Sequence, residues 1–286
     1  MNEVLEKNKL RSFAHVFSTA SFKKILQSEE TDFFFRTVEK HVENTSGKSV
    51  EGAVKDMYFM LKNSYRNEYY FKNTLFNQLV KHYGLENSVV LDEFKIGGSI
   101  ADFVFLNGEA CVYEIKTAFD DLSKLKKQVA DYMRFADKVY IVTSPNHKIQ
   151  ALKLLRDSKA GIIILDNDNC LQEAKKAEKE PGSLRHDAVF KTLRKPEYTS
   201  LIADHFGDLP NVPNTLIYKA CLDLSKKIPI EDFQKKAVKL LKNRQIAHVD
   251  LLQSAKVPHE LKHICYTLNL NQGQYNQLFT LLKQPV

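Results

Sequence analysis

The run from Ile100 to Lys116, IADFVFLNGEACVYEIK, constrains the fold of this 286-residue chain more than any other stretch. Two apolar segments meet at Asn107-Gly108, a strong signal for a β-hairpin. Strand side chains alternate between faces, so Glu114 and Lys116 share a face while Ile115 points the other way, into the core. Loop length then decides where Asp102 goes. A two-residue loop pairs Leu106 with Glu109 and Asp102 with Tyr113, which leaves Asp102 and Glu114 on opposite faces. A three-residue loop, with Gly108 left-handed in a bulge, puts both carboxylates on one face. Charges set among Val, Ile, Phe and Tyr cost free energy unless something pairs with them. The carboxylate site exists only in the second case, so an odd-length loop or a bulge is the prediction.

Two carboxylates and a lysine on one strand face carry a definite chemistry. Carboxylate oxygens suit a hard divalent cation such as Mg²⁺ or Mn²⁺, and a neighbouring lysine can orient a water and offset charge on a phosphate. An i, i+2 Glu/Lys pair is by itself usually a solvated strand face. The strongly apolar setting of VYEIK is what separates this one from that ordinary case. Upstream, YRNEYYFKNTLFNQLVKHYG has helical periodicity and carries Glu68; downstream, KKQVADYMRF places Gln128 and Tyr132 one helical turn apart on one face.

With Asp102, Glu114 and Lys116 in place, the segment from roughly Tyr65 to Thr143 resembles the PD-(D/E)XK, or restriction-endonuclease-like, nuclease superfamily. The resemblance implies a mixed central sheet in the order αβββαβ. It implies Asp102, Glu114, the backbone carbonyl of Ile115 and Glu68 as ligands of Mg²⁺ or Mn²⁺, with Lys116 acting on the attacking water. Gln128 and Tyr132 look like the Gln-x-x-x-Tyr motif of the RecB-like branch, where it steadies the site or the nucleic-acid backbone. Ala101 stands where the superfamily's name places a proline, a variable position. The implied activity is metal-dependent hydrolysis of phosphodiester bonds, with nucleic acid as partner and DNA favoured; a homodimer or a host protein partner is compatible with it. The alternative is a non-cleaving nucleic-acid-binding or regulatory protein on a nuclease fold, such as a phage or mobile-element factor.

Composition narrows the field. A hydrophobic share of 43% with 27% charged residues describes an ordinary globular chain, and a net charge of +7 favours a polyanionic partner. No stretch of about eighteen apolar residues exists and MNEVLEKNKLRSF has no signal-peptide core, so a cytoplasmic protein without a membrane partner is expected. Cys111, Cys170, Cys221 and Cys265 are too scattered for a zinc or iron-sulfur site and are read as buried thiols. Gly47-Lys48-Ser49 looks like the end of a P-loop, but Val42 stands where its first glycine belongs, which argues against nucleotide hydrolysis.

Patterning divides the chain into three zones: an N-terminal helical region over 1–62, an α/β core over 63–168 and a C-terminal helical domain over 169–286. ENTSGKS is a loop in the first. In the core, strands are expected near Ser88 to Ile96, Ile100 to Leu106, Ala110 to Thr117, Val139 to Thr143 and Gly161 to Leu165. Helices near Asp120 to Ala136 and His147 to Ser158 separate the last of these, which makes local pairing parallel. In the third zone Pro196, Pro213, Pro229 and Pro258 mark helix starts and no strand is expected. One amphipathic helix there carries Lys235, Lys236, Lys239, Lys242 and Arg244 on its polar side, a solvated face or a phosphate-tracking one.

Overall fold

A computed structural model describes residues 2–27, 31–42 and 46–286, and for residues 2–5 and 31 the backbone alone. The first part of the ENTSGKS loop, 43–45, lies outside the described residues. The chain forms two compact units, 1–86 with 246–286, and 87–245.

The second unit holds a six-stranded mixed sheet in the order β1 (Val89–Ile96), β2 (Ser99–Leu106), β3 (Ala110–Lys116), β4 (Lys138–Thr143), β5 (Gly161–Leu165) and β6 (Leu171–Lys175). β1, β2 and β3 run antiparallel to one another, β3, β4 and β5 are parallel, and β6 returns antiparallel. The parallel links are made by α6 (Leu125–Met133) and α7 (Lys148–Leu154). The strands fall within a residue of the sequence prediction. α6 starts later than expected because Asp120 and Asp121 spend their carboxylates on nearby backbone: Thr117 N donates to Asp120 Oδ2 at 2.7 Å and Ser123 N to Asp121 Oδ1 at 2.9 Å. Such local bonds compete with helix formation.

β6 corrects the expectation of no strand after residue 169. Its sequence, LQEAK, lacks alternation and is largely exposed, as an edge strand can be. The turn before it is fixed by side chain and backbone alike, with Cys170 N donating to Asp166 Oδ1 at 2.8 Å and Asn169 at φ +66°.

One face of the sheet presents Val104, Leu106, Val112, Val139, Ile141 and Ile162 to a core shared with Leu125, Val129 and Phe135. Four further helices add to that core: α8 (His186–Phe190), α9 (Lys195–Phe206), α10 (Ile217–Ser225) and α11 (Ile230–Leu241). Pro196 lies in the first turn of α9, Pro229 is the residue before α11, and Pro213 lies in the turn leading to α10. The predicted C-terminal helical zone is therefore split, since 181–245 packs with the sheet while 246–286 folds with the first unit.

That first unit is helical: α1 (Asn2–Val16), α2 (Thr19–Leu26), α3 (Thr31–His41), α4 (Val50–Ser64), α5 (Glu68–Tyr83), α12 (Val249–Gln253), α13 (Lys262–Thr267) and α14 (Gln272–Lys283). Ser49 caps α4 through Gly52 N at 3.3 Å, and Asn67 caps α5 through Tyr70 N at 3.1 Å. Ser49 is thus a capping residue, and Lys48 is paired with Asp56. Asn73, fully buried, ties α5 to the distant segment: its Nδ2 donates to His259 O at 3.0 Å and its Oδ1 accepts from His263 N at 3.1 Å. Among the described residues no helix is long and apolar enough to cross a membrane.

The four cysteines are free thiols, but Cys170 is exposed, correcting the expectation that all are buried. Its place in the β5–β6 turn accounts for that.

Candidate functional site

The β2–β3 hairpin has the odd-length loop. Leu106 pairs with Ala110 and Phe103 with Tyr113, leaving Asn107, Gly108 and Glu109 as the connection. Gly108 has φ +116°, a conformation glycine adopts without a Cβ penalty. Continued past Phe103 and Tyr113, this register sets Asp102 opposite Glu114. The ladder opens there, and the Asp102 carboxylate takes over a backbone donor: Ile115 N donates to Asp102 Oδ2 at 2.7 Å.

Glu114 sits on a strand buried along nearly its whole length and is itself 1% exposed. A carboxylate in that position needs partners, and three side chains supply them. Lys116 Nζ donates to its Oε1 at 2.7 Å, Gln128 Nε2 donates to the same oxygen, and Tyr132 Oη donates to Oε2 at 2.6 Å. Gln128 and Tyr132 reach it because α6 lies over this face with both residues on one helical stripe. Tyr132 is fully buried and its hydroxyl also lies 2.7 Å from Ile100 O. Burial pushes the Tyr132 phenol well above its ordinary pKa, and the adjacent Glu114 carboxylate pushes it further. It is a neutral donor across the physiological range.

Sequence reasoning missed Glu93. The β1–β2 ladder pairs Asp92 with Phe103 and Phe94 with Ala101, so Glu93 stands across from Asp102. Its φ of +49° is left-handed, a conformation that costs a residue with a Cβ about 1–2 kcal/mol. Carboxylate oxygens of Glu93 and Asp102 approach within 4.8 Å. The missed signal was cross-strand: an acid on β1 becomes visible only once the β1–β2 register is known.

The remaining expected residues have definite places. Glu68 opens α5 in the helical unit, exposed, in an i, i+4 pair with Lys72 at 2.7 Å. Lys116, by contrast, is largely buried, with 13% of its side chain exposed. Two more polar atoms, Gln128 Oε1 and Ser144 Oγ, are buried without a hydrogen-bond partner among the described residues. Of the basic residues on α11, Arg244 lies just beyond the helix and is committed to the fold: Nη2 and Nε meet the two oxygens of Glu197 at 2.5 and 2.7 Å, and Nη2 donates to Thr192 O at 3.0 Å. Lys235, Lys236 and Lys239 are exposed and Lys242 half-buried.

Oxygen donors from Asp102 and Glu93 fit a hard divalent cation, whereas the backbone group of Ile115 that meets Asp102 is an N–H, which is no cation ligand. In this arrangement Glu114 is held by Lys116, Gln128 and Tyr132 instead, as a neighbour of the Asp102–Glu93 pair.

Together these features define an α/β protein with a six-stranded mixed sheet and a polar site where β2, β3 and α6 meet. The chain matches the family model described as bacteriophage P4 protein cII over residues 61–264, and it belongs to that family. No curated protein and no solved structure matches it.

Proposed function

We propose that this protein acts on nucleic acid through the β2–β3 face, and that metal-dependent hydrolysis of phosphodiester bonds on a restriction-endonuclease-like core is the function the geometry supports best. The observation that carries this reading is the three-residue loop, which sets Asp102 opposite Glu114 with Lys116 on the same strand face. The elements follow one another along the chain in the order such a core has, α5-β1-β2-β3-α6-β4, although α5 itself folds with the helical unit. Asp102 and Glu93 would hold Mg²⁺ or Mn²⁺, which when bound supplies charge stabilisation at a phosphate. Lys116 orients a water and offsets phosphate charge, while Gln128 and Tyr132 fix Glu114, and through it Lys116.

A second reading is favoured by family membership and by the engagement of Glu114. Both Glu114 oxygens are already bonded by protein donors, an arrangement equally suited to a regulatory or binding protein that keeps the fold without turnover. A phage-encoded factor of that kind fits the family.

Incubation with linear and circular single- and double-stranded DNA and with RNA, in Mg²⁺ or Mn²⁺, separates the two. Cleavage by wild type that disappears in Asp102→Asn and Lys116→Ala supports the nuclease. Salt-dependent binding that is indifferent to Mg²⁺ and to Glu114→Ala, with no product from any substrate, supports the second reading and removes the first.

A further inference from the structure

Three residues past Lys116 the chain presents an aromatic ring to solvent: Phe119 is 63% exposed. An exposed phenylalanine is unremarkable by itself, but its setting is specific. The turn that carries it is tied down at several points. Thr117 Oγ1 and N donate to Asp120 Oδ2 at 2.6 and 2.7 Å, Phe119 N donates to Thr117 Oγ1 at 3.3 Å, and Asp120 N donates to Thr117 O at 3.3 Å. Thr117 itself is buried, so the ring is displayed on backbone that is already ordered.

Two exposed carboxylates come next, Asp120 bonded to Thr117 and Asp121 to Ser123, and basic residues follow them. Lys124, Lys126 and Lys127 are exposed at the start of α6 and have no salt-bridge partner among the described residues. Lys124 lies one helical turn before Gln128, on the stripe that reaches Glu114. An ordered, exposed aromatic followed by exposed lysines is an arrangement by which proteins grip unpaired nucleotides: bases stack on the ring and phosphates track the lysines. A duplex offers no free base face to such a ring.

We infer that Phe119 is a base-stacking platform beside the candidate site, with Lys124 and Lys127 holding the flanking phosphates, so that the substrate class is single-stranded nucleic acid. This rests on the nucleic-acid reading above and adds the strand state to it.

Binding measured without chemistry tests it. Fluorescence anisotropy in EDTA, with short labelled single-stranded and duplex oligonucleotides, is to be run on wild type, Phe119→Leu and Phe119→Trp. A single-stranded probe carrying one 2-aminopurine reports stacking by quenching. Wild type should prefer the single strand and quench the probe. Phe119→Leu should bind the single strand about tenfold more weakly, lose the quench and leave duplex binding unchanged, while Phe119→Trp restores both. Wild-type affinity and quenching in Phe119→Leu, or a preference for duplex, would overturn the stacking role and leave the nucleic-acid reading standing. Failure of wild type to bind any nucleic acid would overturn both.

Discussion

Glu93 is held in a left-handed conformation that a β-strand does not ask for, and non-glycine residues kept there cluster where a side chain has to be aimed. Replacing it separates the strain from the carboxylate. Glu93→Gly should be more stable than Glu93→Ala by about 1 kcal/mol in chemical denaturation, the reverse of the usual strand preference. If the alanine variant is the more stable, the strain argument fails. Tyr132 gives a second residue-scale prediction. Tyr132→Phe leaves a buried carboxylate short of one donor and should cost about 1–3 kcal/mol. The phenol's pKa is raised in the folded state, so the folded protein holds that proton more tightly than the unfolded chain does. Its contribution is fully present below the unfolded value of about 10 and is lost as pH climbs above it. The stability gap between wild type and Tyr132→Phe should therefore narrow above about pH 10, as read by denaturation across that range. Much at this scale was legible in sequence: Asp102, Glu114, Lys116, Gln128 and Tyr132 meet where β2, β3 and α6 come together. Glu93 was not, because nothing local marks a residue whose importance comes from the strand opposite.

At the scale of elements, the hairpin was readable because parity offers only two outcomes and one of them alone puts Asp102 and Glu114 on the same face. β6 was unreadable because LQEAK has no apolar alternation and is held by strand pairing and by side-chain bonds between Gln172, Glu173 and Lys175 and residues outside the strand. Two glycines show how differently such elements are constrained. A Cβ on Gly108 would meet nothing within 4 Å, so Gly108→Ala costs only backbone conformation, about 1–2 kcal/mol. A Cβ on Gly161, at the start of β5, would lie 2.5 Å from the Tyr140 ring and 2.6 Å from the backbone N of Ala177. Backbone cannot swing aside as a side chain can. Gly161→Ala should be the more damaging of the two in thermal unfolding; equal shifts would show that the β5–β6 edge yields easily. α11 raises the question of its lysines. With Arg244 bound to Glu197, phosphate contact falls to Lys235, Lys236, Lys239 and Lys242. Neutralising all four should weaken nucleic-acid binding across sequences and reduce the salt slope by roughly 0.7 to 0.9 log unit per lost contact. An unchanged slope assigns the helix to solvent.

At the scale of the whole molecule, the chain is organised around a division that the sequence hid. Patterning shows where helices and strands alternate, so it found the α/β segment, but which helices share a core depends on contacts between residues far apart in sequence. Asn73 is the clearest instance. Nothing around it in FKNTLFNQ signals that its amide will bond His259 and His263 across the length of the α/β unit, yet it is fully buried and so must find partners. The Tyr69 hydroxyl adds a bond to Glu260 O at 2.6 Å. Removing residues 246–286 therefore strips the helical unit of the groups that satisfy α5, and leaves the sheet unit, 87–245, with its own core intact. Limited proteolysis of a chain ending at Gln245 should cut first within 1–86 and yield a resistant fragment close to 87–245, with helical circular dichroism lost out of proportion to the residues removed. A smaller lesion at the same joint, Asn73→Ala, should destabilise by about 1–3 kcal/mol through the lost bonds to His263 N and the Tyr58 hydroxyl, while the His259 carbonyl keeps Asn77 Nδ2 as a donor. If the truncated chain resists protease over 1–86 as well as the full chain does, the helical unit stands without its distant segment, and the two-unit account of this fold is wrong.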